Sequence, residues 1–251
     1  MTTTIQTGLL FHALVAVLVA MVAAVFVVFL SRRWKSLDRA RHAYTGFWVV
    51  TALVWSAIAA RYFMIGMGYW GGEISFLDIF IQSAVFVTGP PLFYYAGLRV
   101  LQHRWAAVAL ALVSCVFTAM GIYFILQPEG IVRVAVTGFS AETNLNPVSY
   151  SIFISNIAIL VILMVYDLLS RLRQWFAQRN DALFYDALYS AALLVYVGLG
   201  GIDNSKIFLE WELVILRICY IAAFLFAYRV IVEHELAQEH FLIEDVPRNV
   251  L

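Results

Sequence analysis

This 251-residue sequence has little of what marks a soluble enzyme or a disulfide-rich secreted domain. It contains only two cysteines and five prolines, and charged residues make up only 13% of it. Cys115 and Cys219 belong to no CxxC pair and no Cys/His zinc pattern, so the sequence predicts neither a disulfide framework nor a metal site. We expect both cysteines to be small, buried, apolar residues.

Catalytic and cofactor-binding motifs are also absent from the sequence. There is no HExxH, no GxSxG, no P-loop and no glycine-rich dinucleotide motif. The only lysines, Lys35 and Lys206, fall in links between apolar segments, which argues strongly against a retinal Schiff base. His12, His42 and His103 fall near segment ends, where we expect contact with solvent rather than haem ligation. The sequence therefore predicts no cofactor and favours a non-catalytic protein, although missing motifs alone do not decide the question of an enzyme.

Long apolar runs dominate the sequence instead. Hydrophobic residues make up 63% of it, and its mean hydropathy is +0.87. Runs of roughly 20 apolar residues are long enough to cross a hydrocarbon core of roughly 30 Å as helices. Lipid leaves backbone groups without outside partners, which also favours helices. We predict an all-α integral membrane protein whose seven transmembrane helices lie at residues 9–30, 45–67, 75–98, 106–126, 148–169, 182–201 and 211–232.

The links between these helices alternate in charge, which predicts the orientation. The links after the first, third and fifth helices are basic, whereas the opposite links are mainly acidic. Basic links face the cytoplasm. We therefore expect the N-terminus outside and the C-terminus inside, with a transmembrane domain at residues 1–232, a short cytoplasmic helical tail at 233–251, and a location in the inner (cytoplasmic) membrane. Because the basic residues flank membrane helices, we expect lipid headgroups as their partners and no nucleic acid.

Two local features interrupt this plan. Gly89, Pro90 and Pro91 fall inside the third helix, where proline removes backbone donors and should kink it. The longest outer link, residues 127–147, includes the β-prone run Ile131–Phe139, with a turn signal at Thr137-Gly138. Either a small hairpin over the outer face or an irregular loop fits this link.

Ionisable residues inside the spans are the strongest pointer to a site, because the membrane makes them energetically expensive. Arg61, Asp78 and Arg217 fall at similar depths in the outer half, and Gln82 follows Asp78 by one helical turn. Tyr220 begins an aromatic stripe on the last helix that continues with Phe224 and Tyr228. One interpretation is a structural ion pair, with the surplus arginine reaching the outer interface. The other is an outward-facing polar pocket above an aromatic floor, and two arginines against one aspartate favour a small anionic ligand there.

Three further polar residues fall elsewhere in the spans. We expect Asn156 to hydrogen-bond between helices. Asp167 and Asp186 lie at inner helix ends, where we expect them to meet the arginines of the link between them.

One family resemblance can be stated. A basic link, Ser31–Arg41, leads into the second helix, and the third ends in Gly-Pro-Pro-Leu-Phe-Tyr-Tyr-Ala-Gly-Leu-Arg at residues 89–99. This pattern resembles the multi-span sensor region of bacterial membrane-tethered regulators, in which a Gly-Pro-Leu-aromatic-Tyr segment closes the third span. The resemblance covers about the first 105 residues. It implies a sensing role, with output through a separate protein, since no output domain follows here.

The sequence thus leaves three functions open. The first is a sensor or receptor-like protein that binds a small ligand from outside and signals to a partner. Its tail, with the apolar patch Phe241–Ile243, could dock on the protein's own cytoplasmic loops, lie on the membrane or contact such a partner. The second is a non-catalytic subunit of a larger membrane complex, for example a respiratory one, and the third is a transporter or channel.

Overall fold

The structure, a computed structural model, describes residues 6–32, 39–137, 139 and 141–244. Within these residues it consists of helices and one two-stranded sheet. The elements in chain order are α1 (Thr7–Arg32), α2 (Arg39–Gly66), α3 (Gly72–Val87), α4 (Gly89–Leu101), α5 (Arg104–Ile125), β1 (Ile131–Val136), β2 (Ala141–Leu145), α6 (Pro147–Gln178), α7 (Asp181–Ser205) and α8 (Glu210–Glu244).

Seven helical segments of the described chain are long and apolar enough to cross a membrane, with α3 and α4 together forming one of them. Large apolar side chains cover the outer surface of the bundle, as Leu14, Leu112, Ile162 and Ile215 illustrate. Such a surface would be unstable in water and suits a hydrocarbon solvent. The predicted seven-helix, all-helical architecture is thus confirmed for the described residues, apart from the small sheet.

Consecutive helices pack side by side around a closed ring. Helix α1 packs on α2, α6 packs on α7, and α7 packs on α8. Helices α3, α4 and α5 lie between α2 and α6. Helix α8 returns to pack on α1 and closes the ring. The helices therefore enclose an interior in which side chains from distant parts of the sequence meet.

The third span breaks where the sequence predicts a kink. Helix α3 ends at Val87, and α4 begins at Gly89 with prolines in its first turn. Prolines there lack the N–H groups that carbonyls of the preceding turn would accept from. The Phe86 carbonyl accepts instead from the Thr118 hydroxyl of α5, at 3.0 Å. The predicted break is therefore confirmed, and this carbonyl has a protein partner rather than lipid.

The long link at residues 127–147 forms a small hairpin, which is one of the two arrangements that its sequence fits. Strands β1 and β2 pair antiparallel, with Ile131 opposite Leu145 and Val136 opposite Ala141, and the register shifts between Arg133 and Ala135. Gly138 of the predicted turn lies outside the described residues. Ala141 packs with residues of α1, α2 and α3, and Leu145 packs with residues of α3, α5 and α6. The second strand therefore lies against one end of the helices, which is called the hairpin end below.

Both cysteines differ from expectation. Cys115 and Cys219 are free and exposed on the outside of the bundle rather than buried. Helical position rather than composition decides this, because their neighbours Ser114 and Tyr220 take the inward-facing positions.

A polar cluster ties three helices together at the end opposite the hairpin. Arg99 of α4 donates to Asp167 of α6 at 3.1 Å and to Asp186 of α7 at 3.0 Å. Arg171 pairs with the same two aspartates. Asp167 and Asp186 therefore do meet an arginine of the link between them, as expected, and in addition an arginine from α4.

The last helix runs past its predicted span to Glu244. Residues 245–251 of the predicted helical tail lie outside the described residues, and so do the side chains of the Phe241–Ile243 patch.

Candidate functional site

A cavity of about 150 Å³ lies inside the bundle beneath the hairpin. Helices α2, α3, α4, α6, α7 and α8 line it together with strand β2. All five residues that the sequence places in one site contribute to its wall, namely Arg61, Asp78, Gln82, Arg217 and Tyr220, and Gly89 of the kink lines it too. Pro90 and Pro91 are not among the lining residues. A cavity of this size holds a benzene-sized molecule.

The first ion pair of the cavity joins α2 to α3. The Arg61 guanidinium contacts the Asp78 carboxylate through its Nε, and it also donates to the Ala141 carbonyl of β2. Both side chains are less than a tenth exposed. A buried charge of this kind is tolerated only when it is paired. Arg61 thus neutralises Asp78 and at the same time holds the hairpin.

The second ionic group centres on Glu142, which the sequence analysis did not assign to the site. Its carboxylate accepts from Lys206 Nζ at 2.9 Å and from an Arg217 Nη at 3.2 Å. The Tyr62 hydroxyl donates to it as well. Glu142 is only 4% exposed, so these three partners replace its contact with water. One carboxylate of β2 therefore connects α2, the end of α7 and α8.

Burial alone would raise the pKa of Glu142, but its cationic partners outweigh that effect. The charges of Lys206 and Arg217 and the hydrogen bond from Lys206 lower its pKa to about 2. Glu142 is therefore ionised at neutral pH, and the folded state favours the charged form.

Tyr62 is the aromatic residue that brings the two ionic groups together. The Arg217 guanidinium carbon lies 4.6 Å from its ring centroid, and that of Arg61 lies 5.6 Å from it. Arg61, Asp78 and Arg217 therefore do converge. Arg217 does not reach the outer interface, because its side chain is only 3% exposed and is paired with Glu142.

His12 also differs from the expectation that it touches solvent. It is fully buried, stacks on Tyr62 with ring centroids 5.2 Å apart, and its Nδ1 lies 3.0 Å from Arg217. The hairpin end of α1 is covered by α2 and α8, so a position near a helix end is not an exposed position here.

Deeper in the cavity the polar groups are uncharged and incompletely hydrogen-bonded. Gln82 of α3 and Asn156 of α6 are each more than nine-tenths buried and both line the cavity. Neither side-chain oxygen has a hydrogen-bond partner among the described residues. The interhelical hydrogen bond expected of Asn156 is therefore not made by its Oδ1. A buried polar atom left unpaired costs about 1–3 kcal/mol, which a bound ligand or ordered water would offset.

Asn156 lies against the kink. A Cβ added at Gly89 would come within 2.9 Å of its Nδ2 and within 2.7 Å of Ser114 Oγ. The missing side chain at Gly89 is what allows this amide to occupy the cavity wall.

Aliphatic side chains and aromatic rings form the rest of the wall, and Tyr220 is the residue of the predicted α8 stripe that lines it. Tyr220 packs on Trp55 with centroids 4.7 Å apart and on Tyr196 at 5.3 Å. Phe224 continues the stripe below the cavity, where it packs on Trp48. The cavity therefore has a charged end beneath the hairpin, an amide-lined middle, and a side of aromatic and aliphatic residues.

The charges of the lining are balanced. Its cations are Arg61, Lys206 and Arg217, and its carboxylates are Asp78, Glu142 and Asp203. The surplus of arginine that favoured an anionic ligand in the sequence is therefore absent from the lining. An anionic ligand would therefore have to exchange with a carboxylate of the protein.

Sequence reasoning missed Glu142, Lys206 and Tyr62 because each meets its partners only through the fold. Glu142 lies 80 positions after Tyr62 and 75 before Arg217. Two signals were available in the sequence. Glu142 is an acidic residue of the long link 127–147, and Lys206 is the only lysine of the mainly acidic links.

No group of three or more His, Cys, Asp or Glu side chains that could hold a metal ion occurs in the part of the chain that the structure describes. No protein-family model, no curated protein and no solved structure matches this chain.

Proposed function

We propose that this chain is a receptor-like protein of the bacterial cytoplasmic membrane, without catalytic activity, that binds a small ligand in the cavity and signals to a partner protein. Its N-terminus and hairpin lie outside in this proposal, and its C-terminal tail lies in the cytoplasm. The resemblance of residues 89–99 to sensor regions motivates the sensing role.

One observation carries the proposal: a benzene-sized cavity inside the bundle is lined by buried amides whose oxygens lack partners. A purely structural interior fills such space with side chains and satisfies its polar groups. Specific small-molecule sites combine mostly apolar walls with a few placed polar groups, as this cavity does.

The arrangement supports a binding site more than an open pore. Leu92, Phe93 and Leu160 line the cavity, whereas Arg99, Asp167 and Asp186 of the opposite polar cluster do not. The charged end beneath the hairpin and that cluster are therefore separate groups within the described residues.

The proposal is tested by ligand-induced stabilisation of the purified protein in detergent. A panel of small amides, alcohols and carboxylates is screened by thermal unfolding on wild type and on Asn156→Leu, which keeps the branched shape of the side chain and removes the amide. The control is Gln127→Leu, at an exposed link position. Asn180 is exposed too, but it is unsuitable because its side chain caps α7.

We expect at least one compound to stabilise wild type and Gln127→Leu equally while losing its effect on Asn156→Leu. A stabilising compound that acts alike on all three proteins, or the lack of any stabilising compound, would contradict binding in this cavity.

A further inference from the structure

Glu142 differs from the other carboxylates of the cavity in the element that carries it. Asp78 lies within α3 and Asp203 within the last turn of α7, whereas Glu142 lies on a two-stranded hairpin. A two-stranded sheet alone has little stability of its own. Withdrawal of Glu142 therefore requires only that the hairpin strand move, whereas withdrawal of Asp78 or Asp203 requires that a helix move.

The two cations that hold Glu142 come from elements other than the hairpin and each has a second partner. Lys206 Nζ lies 3.9 Å from Asp203 Oδ1, and an Arg217 Nη lies 3.0 Å from His12 Nδ1. When Glu142 leaves, Lys206 therefore keeps an ion pair with Asp203, and Arg217 keeps a hydrogen bond to the His12 ring but loses its counter-charge. What remains is a buried site with a lysine and an arginine arranged for one carboxylate.

That site opens on the cavity. Lys206, Arg217 and Glu142 all line it, together with the amides of Gln82 and Asn156. A ligand whose carboxylate replaces that of Glu142 would place the rest of its atoms among these amides and the aromatic wall. An arginine and a lysine bind a carboxylate through charge-assisted hydrogen bonds, the strongest kind available here.

We propose that Glu142 is a built-in occupant of a carboxylate subsite and that the ligand is a small carboxylate that displaces it. This inference rests on the proposed function and names the ligand class of the same cavity. Displacement of Glu142 also releases β2 from Lys206, Arg217 and Tyr62, so ligand entry and loosening of the hairpin are one event.

Chemical rescue tests this assignment. Glu142→Gln keeps the shape of the side chain but removes its charge, so an added carboxylate competes for Lys206 and Arg217 with a neutral amide instead of a carboxylate. Sodium acetate is the probe, with acetamide as its neutral analogue and sodium chloride holding the ionic strength constant. Glu129→Gln, at an exposed position of the same link, is the matched control.

We expect acetate to bind Glu142→Gln about tenfold more tightly than wild type, equivalent to about 1.4 kcal/mol. The measurement is the rise in melting temperature of each protein as the acetate concentration increases. Acetamide should not show this gain, and Glu129→Gln should behave as wild type. If Glu142→Gln does not fold without acetate, its recovery in folded form with acetate and not with acetamide or chloride is the same result.

A second variant tests the subsite from the cationic side. Lys206→Met in the Glu142→Gln background should abolish the acetate gain, because one of the two cations is gone.

Equal effects of acetate and acetamide on Glu142→Gln, or an acetate effect that survives Lys206→Met, would overturn the carboxylate subsite. A neutral compound whose stabilisation depends on Asn156 would leave the proposed function standing in that case. The two failures are therefore distinguishable.

Discussion

Arg61 and Asp78 show most simply what a buried charge requires of its neighbours. Each is acceptable inside the bundle because the other is there, and each would be strongly destabilising alone. The pair joins α2 to α3 directly beneath the hairpin. This residue-scale dependence leads to a double-mutant test.

Asp78→Asn should lower the free energy of unfolding by about 3–5 kcal/mol, because it leaves the Arg61 charge unpaired. Adding Arg61→Gln should restore part of that loss, since the stranded charge is removed. Thermal unfolding of the wild type, both single variants and the double variant in detergent gives the coupling energy. Additive losses would show that the two charges do not depend on each other.

Glu142 predicts a dependence of stability on pH. Its folded pKa of about 2 lies below the ordinary value of 4.5, so on acidification the unfolded state takes up the proton first. The stabilisation is complete above pH 4.5 and is lost as pH falls from there towards 2. Its full size is on the order of 3 kcal/mol.

The check is a comparison of thermal unfolding between pH 7 and pH 3 for wild type and Glu142→Gln. Wild type should lose more stability than the variant in the acid part of this range. Parallel curves would contradict the assignment of this carboxylate as a paired, ionised group.

At the scale of elements, α4 packs on α5 through a close approach at Gly97. A Cβ added there would lie 2.7 Å from the Cα of Ala107, which is backbone and cannot rotate away. Gly97→Ala should therefore destabilise the protein by about 1–3 kcal/mol, the usual effect of overpacking, despite the better helix propensity of alanine.

Gly198→Ala on α7 is the matched control, because nothing lies within 4 Å of the added Cβ. It should leave the melting temperature unchanged or raise it. A similar loss in both variants would show that the α4–α5 contact is not the cause.

How far the sequence predicts these elements depends on how local each signal is. The apolar runs predict every span, and Gly89-Pro90-Pro91 predicts the break, because both signals lie in consecutive residues. The continuation of α6 to Gln178, past the predicted end at Leu169, reflects a helix that leaves the apolar run without a backbone break. The outward positions of Cys115 and Cys219 depend on helix rotation, which composition does not reveal.

The site was predictable only in part, for the same reason. Arg61, Asp78 and Arg217 stand out because charge in an apolar run is unusual. Glu142 stands in a polar link where carboxylates are ordinary, and its importance comes from a hairpin that folds it back onto α2 and α8. His12 likewise becomes buried only through the packing of α1 against its neighbours.

At the scale of the whole molecule, the basic links predict the orientation in the membrane. The predicted topology places the hairpin outside and Leu251 in the cytoplasm. A reporter that works only in the cytoplasm should be active when it is fused after Leu251. A single cysteine introduced at exposed Glu129 should react with an impermeant maleimide added from outside. Replacing Cys115 and Cys219 by alanine provides the background for that labelling.

If the cysteine at position 129 reacts only after the membrane is permeabilised, the orientation is the opposite of the predicted one. The cavity would then face the cytoplasm, and an extracellular ligand would be excluded.

Binding of a small ligand in the cavity beneath the hairpin is best tested by a density map of the natively purified protein in a lipid nanodisc. We expect compact non-protein density among Gln82, Asn156 and Tyr220, with its anionic end towards Lys206 and Arg217. A cavity occupied only by separate water peaks, or closed by collapse of Gln82 and Asn156 onto each other, would contradict it.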